Sequence, residues 1–187
     1  TGAAMAHDMA LRFPSRIKSA VLYAGWATSD AYFRRCFEVR KRVLQTSGPL
    51  HYVKTTPLFL NPPWWVSANI ARLEAEEPAA AAALAPTDIM LSRIEAICSY
   101  SPGEELRKIT CPCLITCSKD DHLTPLFYSE RMAKVMPKAD TFYFETGGHA
   151  VSVVLPDQFN AVVLSYLDAV IAGRKWQAPE LTYPEIA

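Results

Sequence analysis

Two side chains able to hold or move a proton, Asp121 and His149, stand in turns that follow apolar runs. Asp121 opens D-H-L-T-P directly after the run I-T-C-P-C-L-I-T-C-S at 109–118, and His149 closes G-G-H after A-D-T-F-Y-F at 139–144. An imidazole takes the proton of an attacking nucleophile, and a carboxylate beside it fixes the tautomer and stabilises the imidazolium. Each residue alone has a plainer explanation. Asp commonly starts an Asx turn or caps a helix, and a His in a glycine turn is commonly solvated. Placed together on turns after successive apolar runs, they point to a general base and its orienter. Asp120 competes with Asp121 for the acid's role, and Asp30, after an earlier apolar run, is a remoter candidate.

The elements that must position these residues read as alternating strands and helices. Residues 1–13 form a helix ended by Pro14, whose small residues Gly2, Ala3, Ala4 and Ala6 allow close packing on a sheet. K-S-A-V-L-Y-A-G-W at 18–26 is a buried strand, as are 109–118 and 139–144. Residues 127–135 form a helix ended by Met136-Pro137, and 157–172 a long amphipathic helix after Pro156. The tail, 173–187, with Pro179 and Pro184, is irregular. Strands alternating with helices predict a parallel sheet with right-handed crossovers. Residues 28–106 differ in kind. They show helical spacing broken at Gly48-Pro49 and Asn61-Pro62-Pro63, with 64–77 as one amphipathic stretch and no strand alternation. A helical block inserted there sits above the sheet's C-terminal edge, where open α/β sheets bind ligands.

Composition narrows the classes of function. The 187 residues carry 19 basic and 19 acidic side chains, so the formal net charge is zero, against the basic surface that a nucleic acid or an acidic membrane requires. No apolar run approaches the roughly 20 residues of a membrane span, and no charged-then-apolar leader opens the chain. Five cysteines, an odd number in apolar contexts, read as reduced thiols of a cytoplasmic protein. Cys111, Cys113 and Cys117 lack CxxC spacing and a nearby His, so neither a zinc site nor any other cofactor is expected. Arg34, Arg35, Arg40, Lys41 and Arg42 read as a solvated charge run, and an inward-turned Arg among them would hold a substrate carboxylate.

The order Asp then His after successive strands resembles the second half of the α/β-hydrolase family's Ser…Asp…His order. T-G-A-A-M-A at 1–6 looks like the helix that follows a G-x-S-x-G elbow. The resemblance implies an α/β-hydrolase fold, partial here: a mostly parallel sheet from 1–27 and 107–187 with an inserted helical cap at 28–106. It implies that Gly2 is the motif's last glycine, that the nucleophile lies just upstream of Thr1, and that the Thr1 backbone N–H joins the oxyanion hole. It favours Asp121 as the acid, since the family's acid stands four residues before a proline, here Pro125. Within the cap, R-R-C-F-E-V-R at 34–40, P-L-F-L at 57–60 and R-L-E-A-E at 72–76 are similar to a RutD-like branch implicated in aminoacrylate or carbamate hydrolysis.

The expected activity is therefore metal-free hydrolysis of a carboxylic ester, amide or related C–N bond in a small molecule. Trp26, Phe33, Phe59, Trp64 and Trp65 are candidates to line the pocket, although aromatic side chains in a cap commonly serve as packing alone. A three-stranded parallel sheet would leave an apolar edge bare, so a preceding segment on the same or another chain is expected to complete it. A homodimer is a separate expectation. Two other readings compete: a non-catalytic ligand-binding member of the fold, and an N-terminal nucleophile hydrolase using Thr1 itself.

Overall fold

The computed structural model describes residues 1–136 and 138–185. In chain order it has α1 (Gly2–Arg12), β1 (Ala20–Tyr23), α2 (Ala31–Leu60), α3 (Pro63–Ala68), α4 (Ile70–Ala82) and α5 (Thr87–Ser99). Then follow β2 (Cys113–Ser118), α6 (Leu126–Val135), β3 (Asp140–Phe144), α7 (Val151–Val154) and α8 (Pro156–Ile171). The three strands form one parallel sheet in the order β1-β2-β3, with Leu22 opposite Ile115 and Thr116 opposite Phe142. The central β2 is buried at all six positions. Successive side chains of a strand point to opposite faces, and β2 obeys this. Cys113 and Ile115 join a core with Leu22, Leu106 and Met132, while Leu114 joins Phe144, Val162 and Tyr166 on the α8 side.

Helix α1 buries Ala3, His7 and Ala10, one stripe at helical spacing. The small residues do what the sequence suggested: Ala3 Cβ comes within 2.8 Å of where a Cβ on Gly25, just past β1, would stand. Between β1 and β2 lie four helices and no strand. Their core, built on Trp26, Phe33, Phe37, Leu44, Tyr52 and Ile94, reaches down to Leu123 and Tyr128 beside the sheet's C-terminal end.

The elements differ from the sequence reading in several places. Gly48-Pro49 kinks α2 instead of ending it: Gly48 takes φ 80° and ψ −178°, and the helix resumes at once. Pro49 is tolerated because its missing N–H falls where a new helical turn has no partner for it. The stretch expected as one helix over 64–77 is two. Asn69 (φ −114°, ψ 11°) separates them, with its side chain donating to Trp65 O at 2.8 Å. The strands are shorter than their apolar runs. Pro112 cannot donate to the ladder, although its carbonyl accepts from Ala20 N at 3.0 Å. At the other end of β1, Ala24 turns to φ 49°. Helix α6 closes at Val135, and Pro137, the predicted stop, lies outside the described residues. The tail carries no regular element over 174–185 but is anchored, since Trp176 is buried and donates to Ser165 Oγ at 3.1 Å. The last two residues lie outside the described set.

Candidate active site

Both predicted proton-handling residues sit on loops at the C-terminal ends of their strands. The turn after β2 folds Asp121 onto its own backbone. Its Oδ1 accepts from Leu123 N (2.8 Å) and Thr124 N (2.9 Å), the Asx geometry that the plainer explanation required. That leaves Oδ2 free for other partners, and His149 Nδ1 lies 2.9 Å from it. Asp121 is only 3% exposed, whereas the His149 side chain keeps 25% of its surface open. With Nδ1 facing the carboxylate, Nε2 is the nitrogen left to exchange a proton with a reactant.

Thr124 completes this corner, and the sequence reading missed it. Its Oγ1 lies 2.9 Å from Asp121 Oδ2, 3.1 Å from His149 Nδ1 and 3.1 Å from Ala24 O. When His149 Nδ1–H donates to Asp121, the hydroxyl proton satisfies the Ala24 carbonyl, and every donor has an acceptor. The Tyr23 hydroxyl donates to the His149 carbonyl, fixing the backbone beneath the ring. Burial pushes that Tyr23 phenol up to about 12, so it stays a donor at any ordinary pH.

Asp120 does different work from its neighbour. Its Oδ1 accepts from Gly148 N (2.9 Å) and its Oδ2 from Thr146 Oγ1 (2.6 Å), so it grips the turn that carries His149. That turn needs its glycines. Gly147 and Gly148 take φ 126° and 63°, and a Cβ on Gly148 would stand 2.7 Å from Leu60 O. The close approach marks a junction with the inserted helices. Leu60 O accepts from Ala150 N at 2.8 Å, and Trp64 Nε1 donates to Thr146 Oγ1 at 3.4 Å. Asp30, the remoter acid candidate, caps α2 through Phe33 N and pairs with Arg131 at 2.9 Å. It belongs to the architecture, not to the corner around His149.

A cavity of about 650 Å³ opens beside His149, between α1 and the inserted helices. Thr1, at the N-terminal end of α1, lines it together with Trp26, Phe33, Thr124 and His149. Of the other predicted lining residues, Phe59 packs on the core of the inserted helices, Trp64 holds Thr146, and Trp65 lies buried with Arg72 5.1 Å from its ring. None of these three lines the cavity. Of the charge run, Arg40 is a member that turns inward: it lines the cavity and is only 7% exposed. The signal was present in the spacing: Phe33, Phe37, Arg40 and Leu44 form one buried stripe of α2. Among the described residues no cluster of three or more His, Cys, Asp or Glu could hold a metal ion, and no helix is long and apolar enough to cross a membrane.

No family model matches the chain. It is 42% identical over 165 residues to a protein of Azorhizobium caulinodans named "Putative carbamate hydrolase RutD", covering 88% of this chain and 62% of that one. A protein of the same name from a Caulobacter species (strain K31) is 40% identical over 164 residues, covering 88% and 61%. The chain thus spans about three fifths of the length of these relatives. Among solved structures, the α/β-hydrolase MGS-M2 from a deep-sea metagenome superposes with a TM-score of 0.81 at 22% identity, over 97% of this chain and 64% of that one. The enol-lactonase of Burkholderia xenovorans LB400 does so with 0.78 at 16% identity, over 89% and 62%. The chain has the α/β-hydrolase fold and is a homologue of proteins that carry the name "Putative carbamate hydrolase RutD".

Proposed function

We propose that this chain supplies the acid and the base of an α/β-hydrolase that cleaves a carbamate, ester or related C–N bond, with the nucleophile on the residue preceding Thr1. The observation that carries the reading is the 2.9 Å approach of His149 Nδ1 to a buried Asp121 oxygen at the mouth of the cavity. His149 Nε2 takes the proton of the nucleophile as it attacks the carbonyl carbon, and Asp121 stabilises the imidazolium. The same proton then goes to the leaving group, and a water activated by the regenerated imidazole releases the acyl group. Thr1 stands at the N-terminus of α1, and its backbone N–H with the positive end of that helix would face the developing oxyanion. The names of the relatives support carbamate as the substrate type.

The test uses the full-length protein and 4-nitrophenyl esters beside a small carbamate. His149→Ala should lower kcat/KM by about 10²- to 10⁴-fold on every substrate turned over. Near-normal turnover by that variant would overturn the reading.

A further inference from the structure

A second cavity, of about 230 Å³, lies at the end of the sheet opposite His149, where β2 begins and α6 ends. Its wall carries Cys111, Cys113 and Met136, together with the cations Arg107, Lys134 and Lys138. Side chains two apart on an extended chain share a face, and the proline between the cysteines fixes its own φ. The two Sγ atoms stand 3.9 Å apart with no disulfide between them. Cys111 is half-buried, Cys113 is buried, and Met136 packs in the same core cluster as Cys113.

That sulfur spacing suits a shared ion. Two sulfurs each about 2.3 Å from one metal stand about 3.8 Å apart at a tetrahedral angle and about 4.0 Å apart at a trigonal one. A disulfide, at about 2.05 Å, would instead require the thiols to close by about 1.9 Å. Donor chemistry narrows the ion. Thiolate and thioether are soft donors and select ions such as copper(I). Zinc takes four donors, and no His, Asp or Glu lines this cavity. Charge agrees with a monovalent ion. Held by two thiolates it makes a complex of net charge −1, which cations on the wall stabilise. Arg107 already pairs with Glu104 at 2.5 Å, but among the described residues no carboxylate lies within 4.0 Å of Lys134 or Lys138.

We propose that Cys111, Cys113 and Met136 bind a soft monovalent cation of the copper(I) class, clipping the start of β2 to the end of α6. Binding replaces the two thiol protons, which leave to solvent, and involves no change of oxidation state. The site is remote from His149 and stands or falls independently of the hydrolysis.

The test uses the reduced full-length protein without oxygen. Copper(I) is presented as its coloured bicinchoninate complex, whose absorbance falls as protein withdraws the ion. Wild type should withdraw copper that Cys111→Ser and Cys113→Ala leave behind, their affinity falling by about 10²-fold or more. Cys98→Ser, which removes a thiol elsewhere in the chain, should behave as wild type. Bound copper should raise the melting temperature of wild type and not of Cys111→Ser, and the copper K-edge spectrum should show sulfur ligands alone. Circular dichroism checks the fold of each variant, and Cys111→Ser, at a half-buried position, carries the test should Cys113→Ala fail to fold. No withdrawal by wild type, or equal withdrawal by Cys111→Ser, overturns the site. Zinc bound as tightly as copper(I), or nitrogen and oxygen ligands at the copper edge, overturns the soft-donor assignment.

Discussion

At the scale of single residues, adjacent aspartates divide the labour, and the division predicts opposite responses to the same substitution. Asp121 uses Oδ1 for two backbone N–H groups that only an acceptor can satisfy. In Asp121→Asn the amide oxygen must take that place, which turns the NH2 toward His149 Nδ1 and selects the wrong tautomer. kcat/KM should fall by about 10³-fold or more. Asp120 accepts at close range from Gly148 N and the Thr146 hydroxyl, and from Gly147 N only at 3.4 Å. In Asp120→Asn the oxygen serves Gly148 N, and Thr146, which both donates and accepts, adapts to the NH2. That loss should stay below about tenfold, whereas Asp120→Ala frees the turn and should cost more than Asp120→Asn. Steady-state kinetics on the three variants decide it, and a crippling Asp120→Asn would reverse the assignment. The sequence placed Asp121 and His149 on consecutive strand-end turns because apolar runs and turn residues are local signals. Choosing between Asp120 and Asp121 needed a resemblance, since neighbouring carboxylates differ only in which way the turn faces. Which member of the charge run turns inward was not legible from adjacent residues, because the neighbours of Arg40 in sequence are charged while its neighbours in space are one helical turn away.

At the scale of elements, α1 hides the least expected group of the fold. His7 is fully buried, neither ring nitrogen has a hydrogen-bond partner, and its ring stacks at 6.2 Å on Tyr100. Burial lowers its pKa to about 4, from 6.5 when unfolded. Between those pH values the unfolded chain binds a proton that the folded one does not, so stability falls as pH drops from about 6.5 toward 4. The loss amounts to about 3 kcal/mol at the lower end. Denaturant unfolding across this range should show the slope in wild type and a flatter dependence in His7→Phe. An equal slope in both would assign it to other groups. Position 7 is readable as buried from its Ala3–His7–Ala10 spacing, but the absence of a partner is not, because that depends on what β1 and the inserted helices present. The aromatic residues show the same limit. Phe59, Trp64 and Trp65 look alike in sequence to Trp26 and Phe33, and only the split at Asn69 and the approach of the His149 turn send them elsewhere.

At the scale of the whole molecule, β1 pairs with β2 alone among the described residues. An unpaired parallel edge is a template for further chain. The 187 residues expressed by themselves should aggregate or melt without a sharp transition, and a longer chain that adds strands before β1 should melt cooperatively. Calorimetry on both decides it, and a cooperative transition in the shorter chain would count against the need for that partner.

The junction between Leu60 and the His149 turn sets a rule for substrate traffic. The Leu60 carbonyl holds the Ala150 amide, and the space beside it admits Gly148 but no side chain. Separation of the inserted helices at this end breaks that bond, which with the contacts to Asp120 and Tyr23 holds the segment on which the base is mounted. Opening at this end therefore loosens the mounting of the base, and the water that releases the acyl group is activated only once the end has closed. Amide hydrogen exchange should report the coupling. Ala150 and the amides of the α2 end should exchange at a common rate, and Gly148→Ala, which forces the two apart, should accelerate both together. Independent rates would mean that the helices open without disturbing the base.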